Sequence, residues 1–165
     1  MTNNYPYRPL YETAKDLKHE KEIAKKIEDA LSWRLHKLSK AYFLDFIAFS
    51  KYPKTMGLVA FIEVKKRNNH TNKYPTVILS LNKYLKGVFY AKTLGVKFLF
   101  VVQFHDGCFA YTYAEDADFE YKALEHIQIG GRTDRNDPQD VEPVIHIPID
   151  KFKPIFSTGG QREQI

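Results

Sequence analysis

The chain has 165 residues, which fits one domain with a buried core, and its 44% hydrophobic and 27% charged residues are typical of a soluble globular protein. The single cysteine, Cys108, excludes an internal disulfide, a cysteine-rich zinc site and a cysteine-held iron–sulfur cluster. The net charge of +5 suits a polyanionic partner. With no apolar leader and no bilayer-length apolar run, we expect a cytoplasmic location, or the host cytoplasm if the gene belongs to a phage.

The first half of the chain predicts a helix followed by strands. Residues 1–10 are interpreted as an extended arm, and the T-x-x-D pattern at residues 13–16 marks the start of a helix that ends near Leu31. A short first strand is favoured over residues 33–38. Residues 41–50 predict a central strand with Asp45 in its middle, followed by a turn and a hairpin partner over residues 58–66.

The second half predicts one more helix and a strand-rich tail. A polar loop over residues 67–76 precedes a helix over residues 80–94 that ends at Gly95. The predicted later strands cover residues 96–104, 108–113, 122–129 and 144–149. The predicted fold is a mixed α/β sheet flanked by helices, in the order αβββαβ over residues 11–104, with a β-rich extension over residues 105–165, all in one domain.

Glu20 lies on the predicted apolar stripe of the first helix, together with Leu17, Ala24, Ile27 and Leu31. A carboxylate that faces a core is costly unless it is paired, hydrogen-bonded or bound to metal. The alternative is a glutamate at the edge of the stripe whose head group reaches solvent, which is the common case for a single glutamate.

Two further segments combine acidic and apolar residues. Asp45 stands among the apolar residues of FLDFIAF, where an aspartate is rarely left unpaired, although a backbone or lysine partner would satisfy it. Glu63 and Lys65 project from the same face of their predicted strand, because side chains alternate along a strand. A lone E-x-K is also common as an ordinary ion pair, so this motif gains meaning only beside Glu20 and Asp45.

Three carboxylates on neighbouring elements repel one another, and a divalent cation resolves that repulsion. Oxygen ligands alone suit Mg²⁺ or Mn²⁺. This arrangement resembles the PD-(D/E)XK nuclease superfamily, and in particular its small phage or bacterial proteins. The resemblance covers residues 12–104, and those small proteins share features similar to the segments FIEVKKR, YPTVILSLNKY and GGRTDRNDPQDVEPVIHIPI. Leu44 stands where the superfamily motif often has proline.

The resemblance implies a metal-dependent nuclease that hydrolyses phosphodiester bonds in DNA, as an endonuclease. Asp45, Glu63 and the carbonyl of Val64 would hold the metal, while Glu20 would complete a second metal position or orient a water molecule. Lys65 would position the attacking water and help to deprotonate it.

Additional cations are candidates for contacts with the nucleic acid. They are Lys66, Arg67, Lys83, Arg132 and Arg135. For each of them the alternative is an ordinary solvated side chain. Cleavage of both strands is compatible with a homodimer, although no heptad pattern supports one.

Two other functions stay open at this point. The chain could be a non-catalytic nucleic-acid-binding module on the same fold, since aromatic strands such as FAYTY permit base stacking. It could also be a structural or assembly protein in which internal ion pairs satisfy the acids. Retention of all four polar residues favours the nuclease over the binding module, because acids repel phosphate.

Overall fold

A mixed six-stranded sheet lies at the centre of this computed structural model, which describes residues 14–52, 57–113, 123–131 and 141–156. In chain order the elements are α1 (Ala14–Leu31), β1 (Trp33–Lys37), β2 (Phe46–Ser50), β3 (Leu58–Lys66), β4 (Thr76–Ser80), α2 (Leu81–Leu94), β5 (Lys97–Phe104), β6 (Gly107–Thr112), β7 (Ile127–Gly131), β8 (Val141–Pro148) and β9 (Lys153–Phe156). The central sheet has the order β1-β2-β3-β5-β6-β9, and β4-β8-β7 form a second sheet.

The pairing of β3 with β5 is parallel, whereas the other neighbours in both sheets are antiparallel. Parallel strands need a crossover connection, and α2 supplies it here. Both strands of the parallel pair are buried, as expected when layers cover each face of a sheet. The predicted mixed α/β fold with flanking helices is therefore confirmed.

Helix α1 packs on one face of the central sheet. Its buried side chains Ile23, Ala24 and Ile27 join a core cluster with Ile62 and Val64 of β3. These helical positions are spaced by three and four residues, which places them on one side of the helix. The helix is thereby held across β3, with its N-terminal half near the end of the strand that carries the E-x-K residues.

Helix α2 and the three-stranded sheet pack on the opposite face. The buried positions of α2 are Tyr84, Gly87 and Ala91. Gly87 lies so close to β5 that an added Cβ would meet the Phe98 ring at 2.5 Å. This close approach of the helix to the sheet sets the position of Lys83, one turn earlier in α2.

Several predicted boundaries are wrong. Asp45 is not in the middle of a strand, since Phe43 adopts a left-handed conformation (φ 62°) and β2 begins only at Phe46. Strand β4 occupies the end of the predicted loop at Thr76, the predicted helix start at Ser80 and the residues between them, and it needs β8 as its distant partner. Leu85 of α2 is 55% exposed because the contact between Gly87 and Phe98 sets the rotation of the helix.

In the tail, residues 123–126 form a 3-10 turn before β7, and β8 starts at Val141, earlier than predicted. Strand β9 was not predicted at all, and it extends the central sheet by pairing with β6. The predicted arm over residues 1–10 and the part of the polar loop that carries Arg132 and Arg135 lie outside the described residues. Among the helices described, none combines the length and the apolar character needed to cross a membrane.

We expect Gly87→Ala to destabilise the protein by about 1–2 kcal/mol. Overpacking against a fully buried Phe98 ring costs about 1–3 kcal/mol, and the better helix propensity of alanine returns up to about 1 kcal/mol. Denaturant unfolding measures the difference. Gly57→Ala is the matched control, because a Cβ there meets nothing within 4 Å. Equal stability of Gly87→Ala and the wild type would contradict the close packing of α2 on the sheet.

Candidate active site

The four residues predicted to be catalytic line one cleft of about 420 Å³ at the C-terminal end of β3. Glu20 comes from α1, Asp45 from the residue before β2, and Glu63 and Lys65 from β3. Lys83 reaches the same cleft from α2. Elements that are distant in the sequence meet here because α1 and α2 cover opposite faces of the sheet near the end of one strand.

Asp45 is held by the backbone of β3. Strand β2 begins at Phe46, which pairs with Ile62, while β3 continues beyond this last pair. The Val64 N–H therefore has no ladder partner in β2, and it donates instead to Asp45 Oδ2 at 2.8 Å. Within a strand the N–H and C=O of one residue point to the same side, so the Val64 carbonyl also faces the region beyond the start of β2.

Glu63 is 1% exposed and forms an ion pair with Lys83, whose Nζ donates to Glu63 Oε1 at 2.5 Å. The second oxygen, Oε2, is buried, and no hydrogen-bond donor reaches it from the described residues. Burial raises the pKa of the Glu63 carboxyl to about 8, with the Lys83 charge opposing the rise and the Asp45 charge adding to it. Glu63 thus has one paired oxygen and one oxygen open to a ligand.

Glu20 and Asp45 share a second lysine. Lys37, at the end of β1, forms an ion pair with Glu20 and donates to Asp45 Oδ1 at 3.3 Å. Burial lowers the pKa of the Lys37 ammonium, but the two carboxylates outweigh it and raise the pKa overall. The Glu20 side chain is 18% exposed, so its head group is not in bulk water.

Lys65 differs from Lys37 and Lys83. Among the residues that the structure describes, no carboxylate lies within ion-pair distance of its ammonium group. Burial and the positive charges of Arg67 and Lys83 lower the pKa of Lys65, and the attraction of Glu63 and Glu142 does not offset them. A lowered pKa increases the fraction of an amine that is unprotonated near neutral pH and therefore available to accept a proton.

Glu20, Asp45 and Glu63 are held in this structure by ion pairs with two lysines rather than around one common point. Within the described ranges, no three acidic, histidine or cysteine side chains are gathered in a geometry that could hold one metal ion. Glu20 and Asp45 belong to the Lys37 pair, and Glu63 belongs to the Lys83 pair. A cation bound by all three carboxylates would have to take over part of the role of these two ammonium groups.

The cations predicted to contact nucleic acid have different surroundings. Lys66 is exposed and its Nζ lies 3.2 Å from His19 Nε2 at the cleft. The Arg67 guanidinium donates to the carbonyl of Ile78 at 3.3 Å. Lys83 is not a solvated helix lysine, since it is paired with Glu63. Arg132 and Arg135 lie outside the described residues.

Sequence reasoning missed Lys37. It stands at the end of a short strand, WRLHK, with no motif around it, and only the antiparallel pairing of β1 with β2 brings it to Asp45. The register joins Lys37 to Phe46, the residue next to Asp45, so a correct prediction of the strand pairing could have found it.

A comparison with known protein families identifies the family of this chain. The family described as "Phage putative PDDEXK endonuclease" matches residues 6–155, nearly the whole chain. The chain belongs to this PDDEXK family. The match includes every element that contributes to the cleft, as well as the second sheet and most of β9. The resemblance first drawn from Asp45, Glu63 and Lys65 is therefore confirmed at the level of the family.

Solved structures support the fold of this PDDEXK protein. Hjc, a Holliday junction resolvase of the archaeon Archaeoglobus fulgidus, aligns over 84% of this chain and 87% of its own, with a TM-score of 0.50 and 14% identity. D212, a nuclease from a fusselovirus, aligns over 90% of this chain and 91% of its own, also with a TM-score of 0.50 and 14% identity. No curated protein sequence matches the chain.

The raised pKa of Glu63 predicts a pH-dependent stability. Between its ordinary pKa of 4.5 and about 8, the folded state keeps a proton that the unfolded state has released. The contribution of Glu63 to stability is therefore full below pH 4.5 and is lost as the pH rises to about 8. We expect the stability of Glu63→Gln relative to the wild type to increase across this window.

Denaturant unfolding in EDTA at several pH values measures this difference. Glu125→Gln, at an exposed position of the 3-10 turn before β7, is the matched control and should show no comparable trend. A stability difference for Glu63→Gln that is the same at pH 5 and pH 8 would show that Glu63 is ionised throughout the folded state.

Proposed function

We propose that this PDDEXK-family protein is a metal-dependent endonuclease that hydrolyses phosphodiester bonds in DNA. The observation that carries the proposal is the buried Glu63 carboxylate with one oxygen lacking a donor among the described residues, beside Asp45 and Lys65 in a single cleft. A buried oxygen without a partner is costly, and a ligand that binds there removes the cost. Family membership supports the same reaction.

The residues present suit Mg²⁺ or Mn²⁺. The candidate ligands are all oxygens: the carboxylates of Glu20, Asp45 and Glu63, and the carbonyl of Val64. Hard divalent cations prefer such donors. When bound, the cation would lower the pKa of a water molecule and neutralise charge on the phosphate. Asp45 and Glu63 are the primary ligands in this proposal, and Glu20 contributes at a second position.

The lysines have separate roles in the proposed reaction. Lys65 Nζ orients the attacking water and accepts its proton, because the lowered pKa of Lys65 favours the neutral amine. Lys37 and Lys83 neutralise the carboxylates before the cation binds, and each of them can then turn its charge toward phosphate oxygens. Proton transfer and charge compensation are thus assigned to different side chains.

DNA is the proposed polyanionic partner. Lys66 and Arg67 continue from the end of β3 and would contact phosphates on one side of the cleft, with Lys83 on the other side. Arg132 and Arg135 remain proposed phosphate contacts from the sequence. Cleavage of both strands would require two active sites, which a homodimer in the cytoplasm, or in the cytoplasm of a phage host, would supply.

The alternative of a structural protein has one observation in its favour, since ion pairs with Lys37 and Lys83 occupy all three acids. A purely structural arrangement would be expected to satisfy both oxygens of the fully buried Glu63 and to give the half-buried Lys65 an ion-pair partner among the described residues. The binding-module alternative does not explain why three acids line a cleft meant for phosphate. Metal-dependent hydrolysis accounts together for the acids in the cleft, for the Glu63 oxygen that lacks a donor among the described residues, and for Lys65.

Cleavage assays test the proposed function. Purified protein is incubated with plasmid, linear and branched DNA in Mg²⁺, Mn²⁺ or EDTA. We expect cleavage only with a divalent cation, and a loss of at least about 100-fold in Glu63→Gln and in Lys65→Met, because each removes a group that acts on the transition state. Lys51→Met is the matched control, since Lys51 is exposed at the opposite end of β3. Cleavage that persists in EDTA or in both variants would refute the proposal.

Metal binding can be tested without cleavage. A cation that binds only the folded state stabilises it, and the unfolding temperature then rises with the logarithm of the cation concentration above the dissociation constant. We expect Mn²⁺ to raise the unfolding temperature of the wild type, and the rise to disappear in Asp45→Asn and in Glu63→Gln. Glu125→Gln should keep it. An equal rise in the wild type and both site variants would place the cation elsewhere.

A further inference from the structure

A second pocket lies immediately beyond the cleft. It has a volume of about 270 Å³ and is formed by the segment that follows β3, by β4 and by the end of β8. Ile78 and Phe104 give it apolar walls, while Arg67, Tyr74 and His146 add groups that can form polar or stacking contacts. Its volume is slightly below the range of about 300–1,000 Å³ typical of drug-sized ligands, which points to a smaller occupant.

The wall of this pocket is fixed in place. Thr71, in the segment after β3, donates to Asp106 in the β5–β6 turn through its hydroxyl at 2.5 Å and its backbone N–H at 3.1 Å. The Ile149 N–H donates to the carbonyl of Pro75 at 2.9 Å and joins the segment to the end of β8. These hydrogen bonds preorganise the pocket, so a ligand does not have to order its wall on binding.

The pocket follows the candidate active site along the direction of β3. Side chains alternate along a strand, so Glu63, Lys65 and Arg67 project from the same side of β3 and its continuation. Lys65 belongs to the cleft and Arg67 to the pocket. Two residues of extended chain span about 7 Å, which is about two nucleotide steps at the roughly 3.4 Å rise of a stacked strand and fewer steps in an unstacked strand. A DNA strand with its phosphate at Lys65 would bring a neighbouring base to the pocket.

We propose that this pocket binds one unstacked nucleobase of a DNA strand, one or two nucleotides from the bond that is cleaved. The inference rests on the proposed nuclease function, and it adds a substrate class: DNA with an unpaired or easily unpaired nucleotide beside the cleavage site. A fully stacked duplex would have to pay the cost of unstacking before its base could enter.

Tyr74 supplies the stacking surface. It is 55% exposed and lines the pocket. The Lys73 ammonium lies over one face of the ring, 5.2 Å from its centroid, so the opposite face is the one proposed to stack on a base. The flat, hydrophobic faces of nucleobases stack on tyrosine with little dependence on sequence. Arg67 is anchored through one nitrogen to the carbonyl of Ile78, which leaves the rest of its guanidinium donors for the adjoining phosphate.

His146 contributes a polar contact to the edge of the base. Its Nδ1 lies 3.1 Å from the Thr76 hydroxyl, so Nε2 is the ring atom that a ligand can use. Whichever tautomer is present, Nε2 either donates or accepts one hydrogen bond. Base edges carry both donors and acceptors, and the pocket therefore gives modest preference rather than strict selection.

A scan with abasic nucleotides tests the proposal. Single-stranded oligonucleotides that carry one abasic site at successive positions are bound to the full-length chain in EDTA, where metal-dependent cleavage does not occur. We expect the affinity to fall about tenfold when the abasic site is at one position, the size expected for loss of one base–aromatic stack. Tyr74→Ala should abolish this position dependence and Tyr74→Phe should retain it. Tyr52→Ala is the matched control, since Tyr52 is 59% exposed in the turn that joins β2 to β3.

Equal affinity at all abasic positions would overturn the proposal, as would a position-dependent loss that persists in Tyr74→Ala or an affinity too weak to measure with every oligonucleotide. The result of the abasic scan can be distinguished from the result of the cleavage assay that tests the nuclease proposal. Metal-dependent cleavage that needs Glu63 but shows no abasic effect leaves the nuclease and removes the base pocket. A clear abasic effect without any cleavage leaves a nucleic-acid-binding module that uses the pocket.

Discussion

The hydrogen bond from the Val64 N–H to Asp45 Oδ2 is the contact on which the candidate site depends. It exists because β3 extends past the start of β2, so that its backbone would otherwise lack a partner on that side. By accepting this bond, Asp45 is fixed beside the strand that carries Glu63 and Lys65. The Val64 carbonyl, in the part of β3 that extends past β2, also faces the cleft. The difference in length between the two strands therefore positions two of the proposed metal ligands.

Charge balance is the second constraint. The carboxylates of Glu20, Asp45 and Glu63 and several lysines meet in one partly buried cleft, and burial makes each uncompensated charge costly. Lys37 and Lys83 compensate the acids in different places, while the burial of Glu63 and Lys65 shifts their pKa values in opposite directions, upward for the acid and downward for the base. Such opposed shifts are typical of sites that move protons. Under the proposed function, a divalent cation would replace part of the ammonium charge and leave Lys65 free for the water.

The adjoining pocket gives the site an asymmetric surface. The cleft is rich in charge, whereas the pocket beyond Arg67 combines apolar walls with an exposed tyrosine. A nucleic acid strand has the same two sides, since its backbone is charged and its bases are flat and apolar. The order of the two surfaces along β3 therefore matches a single strand that crosses the end of the sheet with its backbone toward the lysines.

The strands and helices with strong local patterns could be predicted from the sequence. Helix α1, β1 and β3 follow the predicted bounds closely, because apolar periodicity and alternation are encoded within each segment. Strands β4 and β9 could not be predicted in this way. Each is short, and each becomes a strand only through a partner distant in the chain, β8 for β4 and β6 for β9.

The residues proposed to do chemistry could be identified from local signals in the sequence, namely an acid among apolar neighbours and an E-x-K on one strand face. The sequence also carried the family resemblance that the match over residues 6–155 confirmed. How these residues are paired, in contrast, depends on the packing of helices and strands that are distant in the sequence. Lys37 reaches Asp45 through the β1–β2 register, and Lys83 reaches Glu63 because Gly87 lets α2 approach Phe98. Ion pairs across elements depend on packing distances of a few ångströms, and no local pattern in a sequence encodes such distances.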